Sequence, residues 1–556
     1  MSATPAPAAL PEMPEMPEMP QGLQQVMNLG NLLTQTARKY PGRPGLVQGE
    51  RTHSWAQINA RVDALAHHLQ AQGVRPGDRI LVQMVNGLPL FESAWATFKL
   101  GAVWVPVNYR LTPTEVAYIA QSSGASLMLT QRTFDGHAAA AQAQSPALRQ
   151  VIRTDDAAYE AMVLAGARGP FAAADVTAHH PLWFFFTSGT TGHPKAAVLT
   201  HGQMAFVVTN HLADLLPGLC ESHPSLVVAP LSHGAGIHAL VNVARGAASI
   251  LLPGESLDCA AAFEAIEKHR VTNLFTVPTI LKRLAEDPAA ARFDHSSLRH
   301  VIYAGAPMSR ADQRKALQVL GPVIVQYFGL GEVTGNITVL RPDEHLEDGG
   351  ALLGTCGTAR TAMEVAVLDE HCQPLAPGVQ GEICTRGPAV FAGYWNNPAA
   401  NAQAFRGGWF HTGDLGTADE RGFITITGRS SDMYISGGSN VYPREIEEAL
   451  RSMPEIAEAV VFGIPDAQWG EVGVAVLAPR DAGTRIPVED VLAHLQPQLA
   501  KYKWPRSIEF WDALPTSAYG KLVKKDIRAE YLRRRDARLA QQPSPLSPPL
   551  PPDQAS

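Results

Sequence analysis

Six short apolar runs constrain this chain more than anything else in it. They are ASLMLT (125–130), SLVVAP (225–230), ASILLP (248–253), NLFTVP (273–278), HVIYAG (300–305) and VIVQYF (323–328). Each is continuous rather than alternating, and helical patterns separate them. Strands buried on both faces read this way, which predicts a layered α/β architecture. Upstream, NLGNLLTQTARKY (28–40) and HSWAQINARVDALAHHLQAQGV (53–74) have helical apolar spacing, with a turn signal at Arg75-Pro76-Gly77-Asp78. RILVQMV (79–85) and WVPVN (104–108) read as further strands, with a helix around LFESAWATFKLGA (90–102).

The pattern changes after Arg429. REIEEALRSM (444–453) reads as an amphipathic helix, AEAVVFGIP (457–465) and GVAVLAP (473–479) as strands, VEDVLAHLQPQLA (488–500) as a helix and SIEFWDAL (507–514) as a strand. That is a separate α+β unit of ordinary domain size. Residues 22–429 are therefore expected to form a large domain and 430–535 a small one. Residues 1–21 and 536–556 are Pro-rich tails, which bury too little apolar surface to pack.

With 556 residues the chain exceeds a single core. Its net charge of -7 and lack of a basic block argue against nucleic acid. Its five cysteines, Cys220, Cys259, Cys356, Cys372 and Cys384, are scattered without Cys-x-x-Cys spacing. They predict no disulfide framework and no zinc site, and they fit a reducing compartment, the cytoplasm. No apolar run is long enough to span a bilayer, and no secretory signal is visible.

The strongest local signal is PLWFFFTSGTTGHPKAAVLTH (181–201). An aromatic strand runs into Thr187, Ser188, Gly189, Thr190, Thr191 and Gly192, then His193, Pro194 and Lys195. Glycine amides can nest phosphate oxygens, and the hydroxyls and Lys195 add donors. The P-loop pattern does not fit, because Lys195 follows Pro194 and precedes Ala196. A second element, VIVQYFGLGEVTGN (323–336), ends a strand in aromatics, then glycines, then Glu332. An aromatic there can stack on a purine, and a carboxylate can hold Mg2+ between phosphates. A third, GGWFHTGDLGTADERGFITITGRSSDMYISGGSNVYPREIEEAL (407–450), carries Asp414 and Arg429. The fourth, LPTSAYGKLVKKDIR (514–528), puts Lys521 after Gly520 on a turn, with Lys524 and Lys525 reading as solvated.

Together, in this order over residues 27–530, these strings resemble the adenylate-forming acyl- and aryl-CoA synthetases. The resemblance implies a large layered α/β domain that binds ATP and an acid, with a smaller, mobile α+β domain behind it. It implies an ATP-dependent acid–CoA ligase: a fatty or aryl acid gives acyl-AMP plus pyrophosphate, then acyl-CoA plus AMP. ATP, Mg2+ and coenzyme A are the implied cofactors, and a homodimer is left open.

Carried over residue by residue, Thr187, Ser188, Gly189, Thr190, Thr191, Gly192 and Lys195 form the phosphate loop. Gly305, Ala306 and Pro307 make the turn near adenine. Phe328 and Gly329 lie against the base, Glu332 holds magnesium, and Asp414 and Arg429 hold the ribose. Lys521 is the catalytic lysine, acting with Lys195 and Glu332, and Gly437 borders the pantetheine tunnel. Tyr502 and Arg506 approach the coenzyme A nucleotide. His233 gates the acid pocket, with Ser232, Gly234, Ala235 and Gly236 on one side, Tyr303, Ala304 and Gly305 opposite, and Gly331 and Val333 near the carboxylate. His238 belongs to no motif and reads as a core residue. The small or apolar lining, without Arg or Lys, predicts an apolar monocarboxylic acid of medium or larger size.

Three positions depart from the family pattern. Ala196 replaces a glycine. Gly331 replaces a phosphate-binding threonine, with Thr334 the nearby hydroxyl to compensate. Ser431 stands at the interdomain hinge, where Asp or Lys is usual. Two rival readings follow. One is an enzyme that loads a carrier-protein thiol, although no carrier-like domain is attached. The other is a non-catalytic ATP-binding descendant, against which Lys195, Glu332, Asp414, Arg429 and Lys521 argue.

Overall fold

All six apolar runs become interior strands of two large sheets, five in a nine-stranded sheet and one in a six-stranded sheet. The structure, a computed structural model, describes residues 25–164, 169–187, 194–252, 254, 257–429, 432–436, 439–466, 468–481, 483–484, 486–516 and 522–541. The nine-stranded sheet runs in the order Thr358–Ala359, Thr338–Leu340, Ile324–Phe328, His300–Tyr303, Asn273–Thr276, Ser225–Val227, Ser249–Leu251, Pro44–Gln48, Arg51–Ser54. Its interior pairs are parallel and its edges antiparallel. The six-stranded sheet runs Lys195–Thr200, Pro181–Thr187, Val103–Pro106, Arg79–Gln83, Leu127–Thr130, Gln150–Arg153. Helices cover both, and the largest core cluster, with Trp55, Trp95 and Trp183 fully enclosed, lies between them.

Local rules set the helix ends. Trp55–Ala71 starts where the Ser54 hydroxyl accepts from Gln57 N and the Gln57 side chain accepts from Ser54 N. The same reciprocal cap opens His201–Asp214 at Thr200 and Gln203, directly after the strand that carries Lys195.

A third sheet lies within the large unit and was not anticipated. Glu364–Leu368, Gly381–Arg386, Phe410–Ala418 and Ile424–Arg429 form an antiparallel sheet. Its strands mix buried and half-exposed residues, so no continuous apolar run announces them. Arg429 is the last residue of that sheet, and the next strand, Tyr434–Ser436, belongs to a separate five-stranded sheet. Two apolar clusters cover that sheet, and neither contains a residue before Tyr434. The two units meet where the helix Pro443–Arg451 packs on the strand Ile424–Arg429, and through an Arg480–Glu286 ion pair of 3.0 Å.

The last helix, Lys524–Gln541, crosses the tail boundary drawn between 535 and 536. The segment RRRDARLAQ is made of strong helix formers and holds no proline, so it continues the helix. Among the described residues no helix is long and apolar enough to cross a membrane.

Candidate active site

The hairpin that follows the aromatic strand brings Thr187 and Lys195 directly opposite each other. The loop between them includes Ser188, Gly189, Thr190, Thr191 and Gly192, which lie outside the described residues. Across from the hairpin, Glu332 sits on a single 3-10 turn, Gly331–Val333, at the end of the strand Ile324–Phe328. Its carboxylate is 4 % exposed. Oε1 accepts from the Thr187 hydroxyl and from the Tyr394 phenol, each at 2.9 Å. Burial and then Glu332 push the Tyr394 phenol well up, so it stays a donor. Lys195 Nζ stands 5.2 Å from the centre of the Tyr394 ring, in cation–π contact. Tyr394 was missed by the sequence reading: its only signal is an aromatic between glycine and tryptophan, 62 positions from Glu332.

A second charged pair faces this group. Asp414 and Arg429 are register partners on adjacent strands, with Arg429 Nε donating to Asp414 Oδ1 at 2.9 Å. Asp414 is buried and Arg429 half-exposed. Burial raises the Asp414 carboxyl, and Arg429 opposes that shift. Arg429 is itself raised, first by Asp414, with Glu332 adding to the same field.

Glu382 fixes the turn that presents Asp414. Its Oε1 accepts from Gly413 N at 2.9 Å, and its Oε2 is bonded to His411 Nδ1 at 2.8 Å and Arg406 Nη2 at 2.6 Å. Thr412 Oγ1 accepts from Asp414 N and donates to Ile383 O. Nothing in the sequence marked Glu382, because its partners come from a neighbouring strand. Cys372 and Cys384 are not isolated either, lying 3.7 Å and 3.3 Å from the two nitrogens of His411.

Residues 33–395 match the family described as AMP-binding enzyme, and residues 445–521 match the AMP-binding enzyme C-terminal domain. The chain belongs to the AMP-binding enzyme family. A feruloyl-CoA synthase of an Amycolatopsis species is 36% identical over 505 residues, covering 90% of this chain and 99% of that protein. A fatty acid–[acyl-carrier-protein] ligase of Streptomyces coeruleorubidus is 33% identical, covering 91% and 97%. The structure of o-succinylbenzoate CoA synthetase from Bacillus subtilis with its acyl-adenylate matches with a TM-score of 0.79 at 29% identity, covering 90% of this chain and 98% of that one. This AMP-binding enzyme is an ATP-dependent, AMP-forming acid–CoA ligase, and its substrates are a small-molecule acid, ATP and coenzyme A.

In this AMP-binding enzyme the Gly331 departure has a steric cause. A Cβ at that position would fall 2.6 Å from the Phe185 ring and 2.8 Å from Thr187 Cγ2. Phe185 in turn stacks on His233 at 4.4 Å and 29°. The aromatic pair fills the room a threonine side chain needs. Thr334 does not replace the lost hydroxyl, since it is 2 % exposed and bonded to Val333 O and Asn336 Nδ2. Gly329 is also required, because a Cβ there would lie 2.5 Å from Gly335 Cα.

The pocket lining needs correction. Tyr303 is fully enclosed in the core under the opposite face of its strand, with its hydroxyl donating to Gln326 Oε1 and accepting from Gln313 Nε2 at 2.8 Å. Alternation along His300–Tyr303 turns Tyr303 away from the side that Ala304 faces. Ala304 itself is buried in that second cluster, and Val333 in the main core. His233 and Gly234 stay half-buried at the start of the helix Gly234–Arg245, as does Phe328 at its strand end. Gly305, with φ of 88°, and Pro307 form an exposed turn around the half-buried Ala306. Arg506 is exposed and stands 5.3 Å from the Trp469 ring.

Lys524 is not a solvated lysine. It pairs with Glu447 at 2.9 Å and Asp432 at 3.3 Å. Ser431, Gly437 and Lys521 lie outside the described residues, as does the Tyr502 side chain.

Proposed function

We propose that the ligase activates a bulky, largely apolar monocarboxylic acid and passes it to coenzyme A. The observation that carries this reading is the convergence of Thr187 and Tyr394 on Glu332, with Lys195 over the Tyr394 ring, facing the Asp414–Arg429 pair. One side of that cleft suits polyphosphate and the other a ribose. Glu332 fits Mg2+, because Oε2 carries no hydrogen bond among the described residues and the neighbouring donors are hard oxygens. When bound there, Mg2+ supplies charge neutralisation for the phosphates.

The residues divide the work as follows. Phe328 offers a face to the adenine, backed by the antiparallel sheet. Asp414 accepts from the ribose through Oδ2 and the spare lone pair of Oδ1, and Arg429 keeps it ionised. Lys195 and the hydroxyls of 187–191 hold the phosphates. The acid's carboxylate oxygen attacks the α-phosphorus, and pyrophosphate leaves with the bridging oxygen's electrons. Lys521 places an ammonium between carboxylate and α-phosphate, where charge develops. Lys524 is held by its two carboxylates, which favours Lys521 for that role. The coenzyme A thiol, losing its proton, then attacks the acyl carbon, and AMP leaves. No protein nucleophile takes part, so rate comes from positioning and electrostatics.

The feruloyl-CoA synthase relative favours an aryl acid, and the half-buried His233, stacked on the buried Phe185, gives an aromatic entrance. The carrier-protein ligase relative keeps a carrier thiol as the second reading. A carboxylic-acid panel read by pyrophosphate release, with and without coenzyme A, tests both. Thioester formation with free coenzyme A is expected. Pyrophosphate release with no coenzyme A thioester would favour the carrier.

A further inference from the structure

Phe275 lies on the strand Asn273–Thr276, in the interior of the nine-stranded sheet, yet it is only half-buried. A ring at that depth keeps exposure by facing an opening inside the fold. The helix Gly234–Arg245 covers it. A Cβ on Gly234 would lie 2.8 Å from the Phe275 ring, so only glycine lets the helix start this close to that ring, beside His233. One turn on, His238 stacks on Phe275 at 4.4 Å and 15°, and Tyr327 lies 5.9 Å from Phe275 and 6.0 Å from His238, so the three rings form a triangle. A Cβ on Gly335 would touch the Tyr327 ring at 2.3 Å, so the segment that follows Glu332 roofs this stack. The rings thus continue the passage that begins at the Phe185–His233 pair.

The inner end of the passage is polar without being satisfied. His238 is 5 % exposed, and neither of its nitrogens has a hydrogen-bond partner among the described residues. The neighbouring His211, with its ring centre 4.9 Å from that of His238, differs in that the Asn336 side chain faces it as a polar partner. Buried polar atoms of this kind are costly to leave unmet, and an apolar tail would leave both His238 nitrogens so. Arg360, a cation near His238, already pairs with Asp214 at 3.5 Å. Burial, and then Arg360, hold the His238 imidazole down to about 3, so it is neutral, with one donor and one acceptor nitrogen. That suits a hydroxyl or carbonyl and not a second carboxylate. Five residue steps lead from His233, the helix cap, to His238, about 7.5 Å along the axis. An acid with one ring and a short linker reaches that far.

We propose that His238 is a specificity residue at the inner end of the acid pocket, and that it selects acids whose end remote from the carboxylate carries an uncharged hydroxyl or carbonyl oxygen. The proposal rests on the reading of the cleft as an acid-activating site.

The test compares pyrophosphate release with 4-hydroxycinnamate, cinnamate, 4-carboxycinnamate and octanoate, for the wild type, His238→Phe and His238→Gln, with thermal melts alongside. The wild type is expected to favour the hydroxylated acid over cinnamate by about tenfold or more in kcat/KM. His238→Phe keeps the ring stack and should erase that ratio, mainly through a higher KM for the hydroxylated acid. His238→Gln, which keeps a donor and an acceptor, should restore part of it. A wild-type ratio below about twofold, a ratio that survives in His238→Phe, or 4-carboxycinnamate as the best substrate would overturn the proposal. If His238→Phe does not fold, the wild-type ratio and His238→Gln decide. Turnover of octanoate alone sinks the proposal and leaves the ligase reading standing, whereas no pyrophosphate from any acid sinks that reading as well.

Discussion

The phenol of Tyr394 donates to Glu332 Oε1 at 2.9 Å, on the oxygen that also accepts from Thr187. Three segments distant in sequence are therefore tied to one carboxylate. Glu332 is aimed before any nucleotide binds, and Tyr394 also gives Lys195 an aromatic face to rest on.

Tyr394→Phe should keep the ring beneath Lys195 and lose only the bond to Glu332. A hydrogen bond to a carboxylate contributes about 1.5–3 kcal/mol, so adenylation should fall by about ten- to 150-fold with little change in Tm. Pyrophosphate exchange measures it. Unchanged exchange would mean that Thr187 alone suffices to position Glu332.

Gly331→Thr would restore the family's hydroxyl, but its Cβ runs into Phe185. The single variant should lose stability by about 1–3 kcal/mol, the usual cost of overpacking. Adding Phe185→Ala should recover part of that loss at Gly331→Thr. Strict additivity in the double-mutant cycle would show that the two positions do not compete for space.

Acidification should weaken AMP binding as Asp414 is protonated, and burial has already moved its carboxyl upward. Arg429 opposes that shift, so Arg429→Ala should raise the carboxyl further and start the loss of affinity at higher pH. Calorimetric AMP titrations between about pH 4 and 7 cover the range. Coincident acid limbs in the two proteins would assign the titration to another group.

Buried neutral histidines should make the fold acid-sensitive. Burial is the main cause that lowers His201 to about 3 and His345 to about 4. Their stabilisation is complete above the unfolded value of about 6.5 and is lost as pH falls from there toward the folded values. Each contributes a slope of about 1.4 kcal/mol per pH unit in that window. Denaturant melts at several pH values should show it, and His345→Gln should remove one proton's worth of slope. A flat profile in the wild type would contradict it.

Lys521→Ala should abolish acyl-AMP formation and spare thioester formation from supplied acyl-AMP, while Gly437→Leu does the reverse. Lys524→Ala should instead take one ion-pair partner from Glu447 and from Asp432 and lower Tm without separating the half-reactions. If Lys521→Ala impairs both half-reactions equally, its assignment to the first one fails.

The sequence by itself determined what depends on residues close together in the chain. Its continuous apolar runs became interior strands of the two large sheets, because a strand buried on both faces has no polar side to show. The Thr187 to Lys195 string became a hairpin, and Asp414 and Arg429 came to face each other because two short strands joined by a turn allow little other register. Tertiary structure alone decided which face each strand turns to the site. Tyr303 and Ala304 are neighbours in one string, yet they point into different cores, because the helices covering the two sides of that strand come from elsewhere in the chain. It also decided the partnerships across long separations: Tyr394 with Glu332, Glu382 with Gly413, Phe185 against Gly331 and His238 on Phe275. A hydrogen bond or a ring stack acts over a few ångströms in space, whatever the distance along the chain, so no local pattern could announce these pairs before the sheets were assembled.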